Sequence, residues 1–199
     1  MTYCNVMLKS FWKRFRLLGL MIFSFGTFAQ ETELGIEYMK AGEYEKAKTV
    51  FQKLAKNKEI AKVIHKPYLQ TLIKLKEFDE AEKFVKKQIK NSDGNAKYIT
   101  DYARLLEIVE KKEEAQKQYT IAMDKVKYDD EAMMELVNEF SQNQQFDLAV
   151  QAIEKAREDA KSGDKFAVQL AKLYRIQGKT PQMIEEYLKF GLLTDNREM

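Results

Sequence analysis

The sequence predicts an all-α solenoid of about five stacked helix–turn–helix repeats. Three observations carry that expectation. An alanine returns at a 34-residue step, apolar residues four apart flank it on either side, and a turn site recurs between them in the same register. A fixed period of this length marks stacked supersecondary units, each too small to bury its own apolar face.

The first element stands outside the repeat. Lys9, Lys13, Arg14 and Arg16 precede an uncharged apolar run from Leu17 to Ala29, which ends in Thr27-Phe28-Ala29 with small residues three and one places before Gln30. A basic start, a short apolar centre and a small-residue cut site are the layout of a secretory signal peptide, here 1–29. The run is shorter than the roughly 20 apolar residues that cross a bilayer. An uncleaved amphipathic anchor is the alternative reading. Met7 is a candidate start, since nothing between Thr2 and Val6 serves export.

This segment holds four of the 34 Lys and Arg and none of the 31 Asp and Glu, so its removal leaves 30 against 31 and a net charge of −1. The full chain's +3 therefore says nothing about nucleic acid, and no nucleic-acid partner is expected. The only cysteine, Cys4, leaves with the segment, so the mature chain has no disulfide, thiolate metal site or thiol nucleophile. Cys4 also lies ahead of the apolar run, where a lipoprotein cysteine would not be. A product exported across the inner membrane is expected, periplasmic or envelope-associated, not a lipoprotein, and with no stable membrane span after cleavage. No Gly/Ser-rich or Pro-rich linker interrupts 30–199, which is expected to form a single repeat domain.

Within that domain Ala47, Ala81, Ala115 and Ala149 follow one another at the constant step, which reaches Met183 without insertion or deletion. Leu34, Tyr68, Tyr102, Leu136 and Leu170 form a second column, and Tyr38, Leu72, Leu106, Phe140 and Tyr174 a third. Phe51, Val85, Tyr119, Ile153 and Tyr187 form a fourth, and Leu54, Gln88, Ala122, Ala156 and Phe190 a looser fifth. Leu34 and Tyr38, like Ala47 and Phe51, are four apart and so share a helix face. Gly42, Lys76, Glu110, Gln144 and Gly178 mark the turn between the two helices. One helix pair cannot bury its own apolar face, so the pairs must stack. Repeats are expected at about 31–61, 62–95, 96–129, 130–163 and 164–197.

Residues 34–54 read Leu34-Gly35-x-x-Tyr38, then Gly42-x-Tyr44-x-x-Ala47-x-x-x-Phe51-x-x-Leu54, and resemble the tetratricopeptide repeat (TPR). The resemblance spans about residues 31–197 and implies a right-handed solenoid. The small residue beside the first apolar column is Gly35, Ala103 or Ala171, but Leu69 and Val137 depart from it, and Lys112 replaces the aromatic of Tyr44, Phe78 and Phe146. Pro67 fits only a first helical turn, so the second helix of repeat one is expected to run through Ile64 and the next helix to start late. Thr180-Pro181 reads as the N-cap and first residue of the last helix.

The inventory argues against catalysis. His65 is the only histidine and sits in a packing column. The acidic pairs Asp129-Asp130 and Glu113-Glu114 sit at helix starts, where they complement the helix dipole. No Gly-rich phosphate loop occurs. Neither a cofactor nor a metal ion is expected. What the resemblance implies is a concave surface lined by the first helix of each pair. Mapped by motif position it includes Lys66, Gln70, Lys74, Lys97, Thr100, Arg104, Asn138, Lys165, Lys172 and Arg175. Of the 24 positions so mapped, eight are basic and two acidic, so an acidic or carboxylate-ended peptide is the expected ligand, unless these lysines merely solvate an exposed face. A non-enzymatic scaffold or adaptor of the cell envelope is the leading expectation. The sensor portion of a longer signalling protein is the alternative. An RNA-binding helical repeat is disfavoured by the step length, the export signal and the charge. The chain reaches Met199 without a polar capping helix, so another subunit or further repeats are expected against its last helix.

Overall fold

The computed structural model describes residues 28–195, with side chains given up to residue 191; residues 1–27 of the expected signal segment lie outside the described residues. Every regular element among the described residues is an α-helix. The chain forms two compact units that divide between Asn91 and Ser92.

In the first unit, α1 (28–40) and α2 (Tyr44–Leu54) form an antiparallel hairpin. A short α3 (Lys58–Val63) leads into a second hairpin of α4 (His65–Lys74) and α5 (Phe78–Asn91). α2 packs on α4, and α3 touches both α4 and α5. The interior is aromatic. Phe51 meets Tyr68 at 6.0 Å between ring centroids, Tyr68 meets Phe84 edge-on at 4.7 Å, and His65 stacks on Phe84 at 5.5 Å. Such offset and edge contacts suit the ring quadrupoles.

The second unit contains three hairpins: α6 (Ala96–Ile108) with α7 (Lys112–Val126), α8 (Asp130–Gln142) with α9 (Phe146–Ala160), and α10 (Ala167–Ile176) with α11 (Thr180–Asp195). α7 packs on α8 and α9 on α10, so each pair covers the face its predecessor leaves open. Tyr119 of α7 meets Phe140 of α8 edge-on at 5.6 Å.

The repeat register is visible in the backbone. The second helices begin at Tyr44, Phe78, Lys112, Phe146 and Thr180, which places Ala47, Ala81, Ala115 and Ala149 each fourth in its helix, and all four are buried. Between the helices of each hairpin lies the same corner. Gly42, Lys76, Glu110, Gln144 and Gly178 all have positive φ, between 59° and 77°. The residue after each donates its N–H to the third helical column, from Glu43 to Tyr38, Glu77 to Leu72, Lys111 to Leu106, Gln145 to Phe140 and Lys179 to Tyr174, at 2.8–2.9 Å. This is the Schellman arrangement, which satisfies orphan carbonyls at the end of a helix. Three of the five corner residues carry a side chain in a conformation that favours glycine.

Starts of the first helices are less uniform. Asn95 and Asp129, one step apart, cap α6 and α8 by accepting from Lys97 N–H and Ala132 N–H. At α4 the expected geometry is corrected. The second helix of the first hairpin stops at Leu54 and does not reach Ile64. Asn57 instead caps the separate α3, whose last turn ends at Ile64. Pro67 is the third residue of α4, inside the first turn, where its missing N–H costs nothing. Thr180 is already the first residue of α11, one place earlier than an N-cap reading gives.

Gly35 shows why a small residue belongs beside the first apolar column. It is buried on α1, and a Cβ there would lie 2.5 Å from the ring of Phe51. Ala103 and Ala171 occupy the matching positions of α6 and α10 with no exposed surface. Tyr38, on the same helix as Gly35, is only half-buried and lies under the Lys46 ammonium at 5.4 Å.

Candidate functional site

The first helix of each hairpin has a buried side set by the repeat columns and a second side that meets solvent. On α4 of the first unit, His65, Tyr68, Leu69 and Leu72 are buried. Lys66, Gln70 and Lys74 recur every fourth residue between them and are all exposed. They form one row along the helix, with two cationic heads and an amide.

In the second unit the solvent side is more varied. Lys97 on α6, Asn138 on α8, and Lys172 and Arg175 on α10 are exposed. Arg104 is half-buried and already committed. Its guanidinium pairs with the buried Asp101 carboxylate, donates to Asn143 Oδ1 at 2.6 Å, and comes within 4.0 Å of Glu139. It therefore links α6 to α8. Lys165 likewise pairs with Asp130 at 2.6 Å. Thr100 is fully buried, with its hydroxyl donating to Ala96 C=O at 2.9 Å in the usual back-bonded helical fashion, so it is removed from the expected surface.

Glu107, too, serves the scaffold. Its carboxylate accepts from the Tyr119 hydroxyl at 2.8 Å and from Gln145 Nε2 at 3.2 Å, while Gln145 also donates to the Tyr119 oxygen at 2.7 Å. Burial, reinforced by the hydrogen bond to Glu107, pushes the Tyr119 phenol far above its ordinary range, so it stays a neutral donor. Tyr68 behaves the same way in the first unit: burial and its hydrogen bond to Glu80 at 2.8 Å raise it.

Three acids absent from the mapped positions also shape this side: Asp101, Glu135 and Glu139. With Glu131, Glu135 and Glu139 form a row on α8 at four-residue spacing. A cleft of about 120 Å³ opens between α6 and α8, with Ala96, Val126, Ala132 and Leu136 as its apolar floor and Asn95, Lys97, Glu135 and Glu139 on its rim. The surface of the second unit is thus mixed on α6 and α8 and cationic on α10. The spacing of Glu131, Glu135 and Glu139 was the sequence signal for the acidic row.

Among the described residues no group of three or more His, Cys, Asp or Glu is placed to hold a metal ion, and no helix is long and apolar enough to cross a membrane.

Fold and surface together define a class: an all-α, TPR-like stack of helical hairpins that presents helix faces. Among solved structures, the chain is similar to MamA from Desulfovibrio magneticus RS-1, with 14% identity over 86% of this chain and 97% of that one, at a TM-score of 0.43. It is also similar to the C-terminal part of a TPR repeat-containing protein from Cytophaga hutchinsonii, with 18% identity over 79% of this chain and 62% of that one, at a TM-score of 0.40. No protein-family model and no curated protein matches the chain. Likeness at this level decides nothing by itself, and the repeat rests on the corner geometry and buried columns above.

Proposed function

We propose that this chain is a non-enzymatic scaffold or adaptor that holds a protein or peptide segment against the solvent sides of its first helices. One observation carries the reading. In each unit, helices locked in place by their buried columns display exposed cationic and amide side chains: Lys66, Gln70 and Lys74 in the first, Lys172 and Arg175 in the second. Because the backbone beneath these side chains is already fixed by the buried columns, it adds no ordering cost of its own when a segment lies along it. Charge-assisted hydrogen bonds from these groups favour an acidic or carboxylate-ended segment. Arg104 is secondary in this scheme, because Asp101 already neutralises it, and Lys97 and Asn138 act as neighbouring polar contacts.

We also propose that residues 1–29 export the chain, that 30–199 works in the periplasm or envelope as one domain of five repeats, and that its partner is met there. The intact mass of the protein recovered from a cell envelope fraction tests the first part: an amino terminus at Gln30 supports it, and retained residues 1–29 refute it.

The binding reading is tested by cross-linking the purified chain in envelope extract and identifying captured segments by mass spectrometry. The paired substitutions Lys66→Glu with Lys74→Glu, and Lys172→Glu with Arg175→Glu, are expected to weaken capture of an acidic segment about tenfold, equivalent to roughly 1.4 kcal/mol. Unchanged capture by both variants would remove these rows from the binding surface.

A further inference from the structure

The last hairpin departs from the others in one respect. In α2, α7 and α9 the fourth apolar column, at Phe51, Tyr119 and Ile153, is 0–1% exposed. At the same register on α11, Tyr187 is 38% exposed. The fifth column repeats the contrast: Leu54, Ala122 and Ala156 are buried, whereas Phe190 is 46% exposed. In each of the earlier cases a first helix supplies the cover, α4 over α2, α8 over α7 and α10 over α9.

A second difference makes the open face more than an unfinished column. Leu188 on α11 is 61% exposed, and its register equivalents in the other hairpins are Gln52, Lys86, Thr120 and Glu154, all of them polar. Ile184, a turn before it, is also half exposed. Ile184, Tyr187 and Leu188 stand three and four apart and so form one apolar stripe.

The charge beside this stripe points to one kind of occupant. Arg104 of α6 reaches across to Asn143 and the vicinity of Glu139 on α8, the helix that covers its hairpin. Lys172 holds the same register on α10, two steps further on, and is exposed, as is Arg175 a turn later. We infer that the α10–α11 face docks an amphipathic helix that carries apolar residues four apart toward Tyr187 and Leu188 and carboxylates toward Lys172 and Arg175. Over Tyr187 such a helix continues the column that α8 covers on α7, and over Leu188 it extends the contact to a register that the earlier hairpins keep polar.

The chain itself supplies a probe of that chemistry. A helix-stabilised synthetic peptide of residues 129–143 carries Met133, Leu136 and Phe140 on one side and Glu131, Glu135 and Glu139 beside them. Stabilisation is required because so short a helix is marginal alone. Fluorescence anisotropy is expected to show saturable binding to the full chain. Tyr187→Lys with Leu188→Lys should weaken it at least about tenfold, and Lys172→Glu with Arg175→Glu about threefold, the latter difference shrinking in high salt. Hydrogen exchange of α11 amides should slow when the peptide is added. Both α11 residues lie at the surface, so the variant should still fold, with its melting temperature lowered by no more than a few degrees. Absence of saturable binding, or equal affinity for the Tyr187 and Leu188 variant, would overturn the inference. So would a concentration-dependent dimer that the same variant abolishes while the peptide fails to bind, because the occupant would then be a second copy. The binding row shares Lys172 and Arg175 with this surface, whereas Tyr187 and Leu188 belong to α11 alone, so the two readings fail separately.

Discussion

α1, a first helix of the repeat, and α11, a second helix, both keep apolar column residues at the surface, yet the chemistry around those residues differs. On α1 the column residue Leu34 is 41% exposed, but Gln30, Glu31, Glu33 and Glu37 surround it, and Glu31 pairs with Lys53 at 2.6 Å. At the Glu31 register the later first helices carry the buried His65, Ile99, Met133 and Ala167. On α11 the open positions remain apolar. One side has therefore been rewritten for water and the other has not, although an identical step generates both. Burial in a repeat is a property of a residue's neighbours as much as of its type, and polar substitution is the sequence's record of which face meets solvent.

The largest test of this contrast removes the same column residue at both places. Phe51→Ala should lower unfolding free energy by about 3–5 kcal/mol in urea titration, because it opens a cavity in the aromatic interior. Tyr187→Ala, at the equivalent register, should cost less than about 1 kcal/mol. Equal losses would mean that α11 is covered in solution.

A second test concerns how the apolar helix is held. Glu186 is buried where the matching residues Ala152 and Phe84 are apolar, and it accepts from both Arg157 terminal nitrogens, at 3.0 and 2.5 Å, and from Lys189 at 2.8 Å. Arg157 also donates to Lys165 C=O. Glu186→Ala leaves the Arg157 charge with only that carbonyl, and a loss of about 3 kcal/mol is expected. Burial by itself raises the Glu186 carboxyl, but the hydrogen bonds from Arg157 and Lys189 outweigh it and hold the group below its ordinary range. A depressed folded-state value means that the stabilisation is present at neutral pH and fades as pH falls through that value. Acid titration should therefore loosen α11, and Glu186→Gln should flatten that limb of the curve. Hydrogen exchange at pH 7 and in acid would measure both.

Gly35→Ala, which sets a methyl against Phe51, should cost about 1–3 kcal/mol. The smallest effect lies at the corners. Gln144→Gly should raise stability by about 1 kcal/mol by relieving a left-handed side chain, while Gly178→Ala should lower it by a similar amount. Thermal melting of the two variants in opposite directions checks the pair.

Much of the fold was legible because the columns and corners are local and periodic. Ala47 and Gly42 announce a crossing and a turn by their types alone. α3 was not legible, because Asn57 competes with the preceding helix for the backbone and no period reports that competition. The binding side was read only in part for a related reason. Lys66, Gln70 and Lys74 lie where spacing puts them, but the state of Arg104 depends on Asp101 one turn before it and on Asn143 of another helix. Register locates a long side chain's root and leaves the reach of its head to the surrounding helices.

The five matching corners carry an evolutionary corollary. Because each ends its helix with the same backbone hydrogen bond to the third helical column, a crossover between any two of them removes or duplicates a whole module and leaves the corner itself unchanged. Unequal recombination in this gene would then change how many hairpins the protein owns before it damaged any one of them, making length the easiest trait for selection to adjust.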